Sequence, residues 1–147
     1  MAAGGFRAIA LSEDYAATEL RSGVFLSQPD GGYRFEPLPR LAQIAPFQGV
    51  VAGDFDGDGR ADIYAVQNSY APIPFVGRFD GGLSVLLHGD GRGGFIVVPP
   101  GESGLIVPGD AKSVAVLDLD GDGRPEFFVT RNDATTLVFS RNPTLAK

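Results

Sequence analysis

One stretch of about twenty residues occurs twice, and that recurrence restricts the fold more than any other feature. GVVAGDFDGDGRADIYAVQN, from Gly49, is echoed by KSVAVLDLDGDGRPEFFVTRN, from Lys112, with the leading aspartates Asp54 and Asp118 64 positions apart. The intervening sequence repeats as well. SGVFLSQPDGGYRFEPLP, from Ser22, parallels LSVLLHGDGRGGFIVVPP, from Leu83, and a weaker echo relates Ala8–Ala16, Ile63–Ala71 and Phe127–Ala134. A unit of roughly 60 residues therefore repeats along the 147-residue chain.

Within each unit, Gly and Pro cut the chain into short apolar runs. The 21 glycines and 11 prolines are spread along the sequence, and between them lie FRAIALS, SGVFLS, YRFEPL, GVVAGDF, DIYAVQ, LSVLLH, GFIVVP, SVAVLDL, EFFVT and TLVFS. Runs of this length rich in Val, Ile, Leu and Phe predict strands joined by tight turns. Only Asp14–Arg21 approaches a helical spacing, and a loop is the preferred reading there. One unit reads as strand, acidic loop, strand, variable loop, strand, Asp-Gly turn, strand, which is a four-stranded antiparallel blade. The expected fold is thus all-β, a single β-propeller segment of about two and a half blades. Residues 6–38 supply a partial blade, 47–99 a complete one and 113–142 another partial one. A blade has two faces to cover, so such units are stable only when stacked. The sequence leaves open whether more blades in a longer chain, or further copies joined at the ragged edges, complete the ring.

The acidic loops carry the chemistry. In DFDGDGRAD, Asp54, Asp56, Asp58 and Asp62 occupy positions one, three, five and nine; in DLDGDGRPE, Asp118, Asp120, Asp122 and Glu126 do. Alternate residues of a tightly curled loop can aim carboxylates inward, Gly57, Gly59, Gly121 and Gly123 permit the curl, and position seven, Arg60 or Arg124, can lend its backbone carbonyl. Carboxylates so crowded repel until a cation sits among them, and an all-oxygen set of about six donors suits Ca²⁺ better than Mg²⁺. Two Ca²⁺ per chain are expected. An EF-hand is excluded because its twelfth position, where a bidentate Glu belongs, holds Ala65 or Val129 in a β-type run.

These loops resemble the FG-GAP/VCBS repeat of integrin-α-like propellers and of secreted bacterial proteins, and FVTRND and LVFSRN resemble blades of the ASPIC/UnbV type. The resemblance implies a β-propeller with structural Ca²⁺ in the loop between a blade's first and second strands. The ligands it implies are Asp54, Asp56, Asp58, Asp62 and the Arg60 carbonyl in one loop. In the other they are Asp118, Asp120, Asp122, Glu126 and the Arg124 carbonyl. No third site is expected before Phe47.

Composition narrows the partners. The net charge is −6, and the eight loop acids exceed it, so the remainder is slightly cationic. With no basic cluster, neither nucleic acid nor an anionic membrane surface is an expected partner. No run of about 18 apolar residues could span a bilayer as a helix, and MAAGGFRAIALSED lacks the pattern of a signal peptide. Cysteine is absent, which removes thiolate chemistry and leaves the compartment undefined. His88, the sole histidine, reads as a surface residue without a visible partner, and DGRGG at Asp90–Gly94 reads as a hairpin turn rather than a phosphate loop. Tyr70–Phe79, with three aromatics and two prolines, reads as a loop packed over the blade edge, or as a contact surface. No constellation of nucleophile and base stands out, so the expectation is a non-catalytic module for protein interaction, adhesion or assembly. Its place would be extracellular, at the cell surface or periplasmic, where Ca²⁺ is abundant. A glycan-binding propeller and a non-catalytic appendage of a secreted enzyme are the alternatives.

Overall fold

The computed structural model describes residues 16–71 and 75–141. Among these residues nine strands form three antiparallel sheets. β1 (Gly23–Ser27) pairs with β2 (Tyr33–Pro37). β3 (Phe47–Gly53), β4 (Asp62–Gln67), β5 (Val85–Gly89) and β6 (Phe95–Val98) follow one another in a four-stranded sheet. β7 (Ala111–Leu117), β8 (Glu126–Arg131) and β9 (Ala134–Phe139) form the third. The chain is all-β, and its sheets are partial and complete blades of propeller type. Each of the nine coincides with an expected strand; the tenth, at Phe6–Ser12, lies outside the described residues, as does Asn142 at the end of the last expected blade. The described part of Asp14–Arg21 has no regular secondary structure.

Two short helical turns were not expected from the sequence. Arg40–Gln43 forms a 3-10 turn and α1 (Pro100–Ser103) a single α-turn, each following a proline at the exit of a strand. Proline presets φ near the helical value and needs no hydrogen-bond acceptor at a first turn, so these exits curl instead of extending.

The four-stranded sheet is covered on both faces. Ile63 and Ala65 of β4, with Val85 and Leu87 of β5, pack with Leu38 and Ala42, and Val24 of β1 lies against them. Tyr64 and Val66 of β4, with Leu86 of β5, face the other way and pack with Leu105, Val107, Ala111, Val114 and Val129. Strict alternation of side chains sends successive β4 residues to opposite cores, which is why all six of its residues are buried. The largest of them, Tyr64, sits edge-on to Phe127 of β8 at 5.0 Å between ring centroids, and burial pushes its phenol up to about 12.

Neighbouring first strands meet at one glycine. A Cβ on Gly49 of β3 would come within 2.9 Å of the Val114 nitrogen and 3.0 Å of the Ser113 Cα in β7. Gly49 and Ser113 are 64 positions apart, so equivalent points of the two blades touch, and both acidic loops leave the stack at the same end.

The connection into β7 is fastened by Asp110. This buried carboxylate accepts hydrogen bonds from Lys112 Nζ at 2.6 Å, the Tyr70 N–H at 3.3 Å and Asn132 Nδ2 at 3.4 Å. Burial works against its charge, but Lys112 and the N–H donors outweigh that and hold it below the ordinary carboxylate range. A lowered carboxyl contributes stability above its unfolded value of about 3.9, and loses it as the pH falls through the lower folded value. Asp110→Asn is therefore expected to be less stable than the parent at neutral pH, with the gap closing in acid. Melting curves from pH 7 to pH 2 check this, and a gap independent of pH would contradict it.

Candidate metal centre

Each acidic loop is drawn into its curl by its own carboxylates. In the first, Asp54 Oδ1 accepts from the Gly57 N–H at 2.7 Å and Oδ2 from the Gly59 N–H at 2.9 Å. Asp56 Oδ1 accepts from the Asp58 N–H at 3.0 Å, and Asp58 Oδ1 from the Arg60 N–H at 2.8 Å. The second loop repeats this with every residue number raised by 64: Asp118 accepts from Gly121 and Gly123, Asp120 from Asp122, and Asp122 from Arg124. Gly57 and Gly59 have φ of 87° and 82°, and a Cβ on either would meet nothing within 4 Å. They are needed for the backbone turn and not for space.

The acid at position nine does a different task. Asp62 begins β4, is fully buried, and its Oδ2 accepts from the Phe55 N–H while Oδ1 accepts from the Gly89 N–H on β5, both at 3.0 Å. Glu126 begins β8 and accepts from the Leu119 N–H at 2.8 Å, the counterpart of Phe55. Both acids close their loops onto the sheet, as a residue with its carboxylate at a strand's first position can.

Three groups of side chains bring possible ligand atoms within 4.8 Å of one another among the described residues. Two are the expected ones, Asp54 with Asp56 and Asp58, and Asp118 with Asp120 and Asp122. Such spacing suits a single cation with hard oxygen donors. In the first loop the Arg60 guanidinium already lies on Asp58, Nε to Oδ2 at 2.7 Å, and this pairing holds the Asp58 carboxyl below its usual range. Arg124 meets Asp122 through its backbone N–H and makes no such side-chain pairing. Glu126 is not in the second group, and Asp62 is not in the first.

The third group was missed from the sequence: Asp56, Asp62 and His88. His88 has a partner after all, its Nδ1 lying 3.3 Å from Asp56 Oδ2, so the expectation of an unpartnered surface histidine is corrected. The signal lay in strand register. Ile63 pairs with Leu87, which sets Asp62 beside His88 across the sheet. That pairing spans a long variable loop and cannot be read from spacing alone.

The remaining motifs behave as turns and loops. In DGRGG, the Asp90 N–H donates to the Gly94 carbonyl while Asp90 Oδ1 accepts from the Arg92 and Gly94 N–H groups, which makes a hairpin turn between β5 and β6. Of the Tyr70–Phe79 loop, Tyr70 lies under the Arg78 guanidinium at 5.0 Å and Ser69 bridges to Phe79, whereas Phe75 is 98 % exposed. Pro72, Ile73 and Pro74 lie outside the described residues.

Stacked antiparallel blades with an acidic loop after each first strand define a β-propeller-type module. Residues 13–65 match the family model described as an FG-GAP-like repeat. The match takes in β1 to β3, the first acidic loop and the start of β4. The second loop lies beyond the match, and its equivalence rests on the 64-residue recurrence of its hydrogen bonds. No curated protein and no solved structure matches the chain.

Proposed function

We propose that this chain is a calcium-stabilised, non-catalytic module of the FG-GAP propeller type that serves protein interaction, adhesion or assembly. The observation that carries this reading is the doubled loop, in which two sets of carboxylates are held by the same hydrogen bonds 64 residues apart. The first ion takes Asp54, Asp56, Asp58, the Arg60 carbonyl and Asp62, with Arg60's side chain swinging off Asp58. The second takes Asp118, Asp120, Asp122, the Arg124 carbonyl and Glu126. Millimolar Ca²⁺ outside the cytoplasm is sufficient for sites of this rigid kind, which is the reason for an extracellular or periplasmic location. No helix among the described residues is long and apolar enough to cross a membrane.

The assembly role draws on the two end sheets. Phe25 and Tyr33 on the outer face of β1 and β2 are 71 % and 73 % exposed. At the other end, Leu117 and Val138 stand open on the outer face of β7 to β9. Within the chain, faces of this type are covered by the next blade, so another blade or a second copy is the natural occupant. Phe75, exposed at a loop tip, favours glycan recognition as a second reading, since an aromatic face stacks on a sugar ring.

Asp56→Ala combined with Asp120→Ala tests the calcium role. Wild-type protein is expected to melt higher in calcium than in chelator, by several degrees, and the double variant is expected to melt alike in both. A wild-type melt indifferent to calcium would overturn it.

A further inference from the structure

We propose that His88 gives the first loop a second mode, in which a first-row divalent transition ion of the zinc kind takes the place of calcium and is held by Asp56, Asp62 and His88, while the second loop remains an oxygen-only site. The proposal shares with the calcium reading only the view that the first loop holds a cation, and it differs in the donor set, the metal and the strand that supplies the deciding ligand.

The geometry comes from the sheet. Register places His88 of β5 next to Asp62 of β4, and the loop folds Asp56 back over that edge until its Oδ2 is 3.3 Å from His88 Nδ1. One ligand atom from each residue lies within 4.8 Å of the other two. Bonds of about 2.0–2.2 Å from one ion set tetrahedral donors about 3.3–3.6 Å apart, so small turns of the partly exposed His88 and Asp56 side chains draw the set in on binding. Asp62 is already oriented, because the Phe55 and Gly89 N–H groups hold its two oxygens, and each oxygen keeps a second lone pair for a metal. His88 and Asp56 are partly exposed, so an ion can enter and water can complete its coordination.

Donor chemistry sets the metal. Ca²⁺ and Mg²⁺ take oxygen ligands, whereas an imidazole nitrogen favours zinc and its neighbours in the first transition row. The two loops differ in whether such a nitrogen is at hand. Phe127 pairs with Phe139, so the residue set beside Glu126 across the third sheet is Ser140, which offers no nitrogen ligand. Asp54 and Asp58 are outside the mixed group, so calcium and the transition ion share only Asp56 and Asp62 among their proposed side-chain ligands.

The metal-free 147-residue chain is titrated with Co²⁺, whose visible spectrum reports its ligands, and with Zn²⁺ and Ca²⁺ by calorimetry. Wild type is expected to take up one Co²⁺ per chain with a visible band that Zn²⁺ abolishes. His88→Ala and His88→Gln are expected to bind Zn²⁺ at least about tenfold more weakly, while Asp120→Ala, in the second loop, keeps the zinc site. Circular dichroism of both His88 variants in metal-free buffer confirms that they fold, and because the side chain is partly exposed, at least the glutamine variant is expected to. Zinc affinity unchanged by His88 replacement, or no zinc uptake by wild type, overturns the proposal. Calcium uptake in the same variants is read separately: histidine-dependent zinc binding without calcium binding sinks the calcium role alone, and the converse sinks the zinc site alone.

Discussion

Asp62→Ala is expected to lower the unfolding midpoint by about 10 °C even in chelator, corresponding to roughly 2–5 kcal/mol. The side chain is fully buried and is the acceptor for two backbone donors, the Phe55 and Gly89 N–H groups, at 3.0 Å each. Alanine leaves both without an acceptor, and an unsatisfied buried donor costs about 1–3 kcal/mol. The same acid therefore closes the loop onto β4 and β5 whether or not an ion is present. Asp56, which takes only the Asp58 N–H and faces His88, should behave otherwise, its replacement mattering chiefly when metal is bound. Thermal melts of the two single variants in chelator make the comparison. If Asp62→Ala melts with wild type there, the loop is held by something other than this carboxylate.

Tyr64→Ala should be as damaging, at about 3–5 kcal/mol. Its ring fills the core between the second and third sheets, edge-on to Phe127, which in turn meets Phe55 at 4.9 Å. Among the described residues no hydrogen-bonded ladder joins these sheets, so side-chain packing is the main tie between them. The variant is expected to lower the urea midpoint and to broaden the transition as the third sheet uncouples from the second. Val138→Ala, on the exposed outer face, is the control, with an effect of less than about 0.5 kcal/mol. A Tyr64→Ala transition as sharp and as late as wild type would show that the blades are coupled elsewhere.

The features legible in the sequence were those expressed over short distances. Strand positions followed from short apolar runs set off by Gly and Pro, as in β3, where exposed and half-buried residues alternate without a break. The loops were legible because their ligands sit within nine residues, and because a second copy at a fixed interval separated design from coincidence. Edges were less certain: GVVAGDF was expected to extend to Phe55, but the strand stops at Gly53, where Asp54 turns its carboxylate back to cap the glycine amides. Likewise LSVLLH begins two residues late, because Ser84 takes a left-handed φ of 75° and gives its hydroxyl to the Leu105 carbonyl. His88 was illegible for a different reason. Its neighbours are set by the pairing of β4 with β5, and no local pattern encodes which residues face one another across a connection of 17 residues, Asn68 to Ser84.

Because Gly49 brings equivalent points of β3 and β7 into contact, the two acidic loops emerge on one rim, and that rim gathers the carboxylates of both. Eight carboxylates gather at that rim while the rest of the chain is slightly cationic. Empty loops would turn the rim toward any positive surface within about 10 Å, the screening length at 0.1 M salt. Ions in both loops would cancel half of that charge, so filling the sites changes which way round the module meets a charged neighbour before any of its strands has moved.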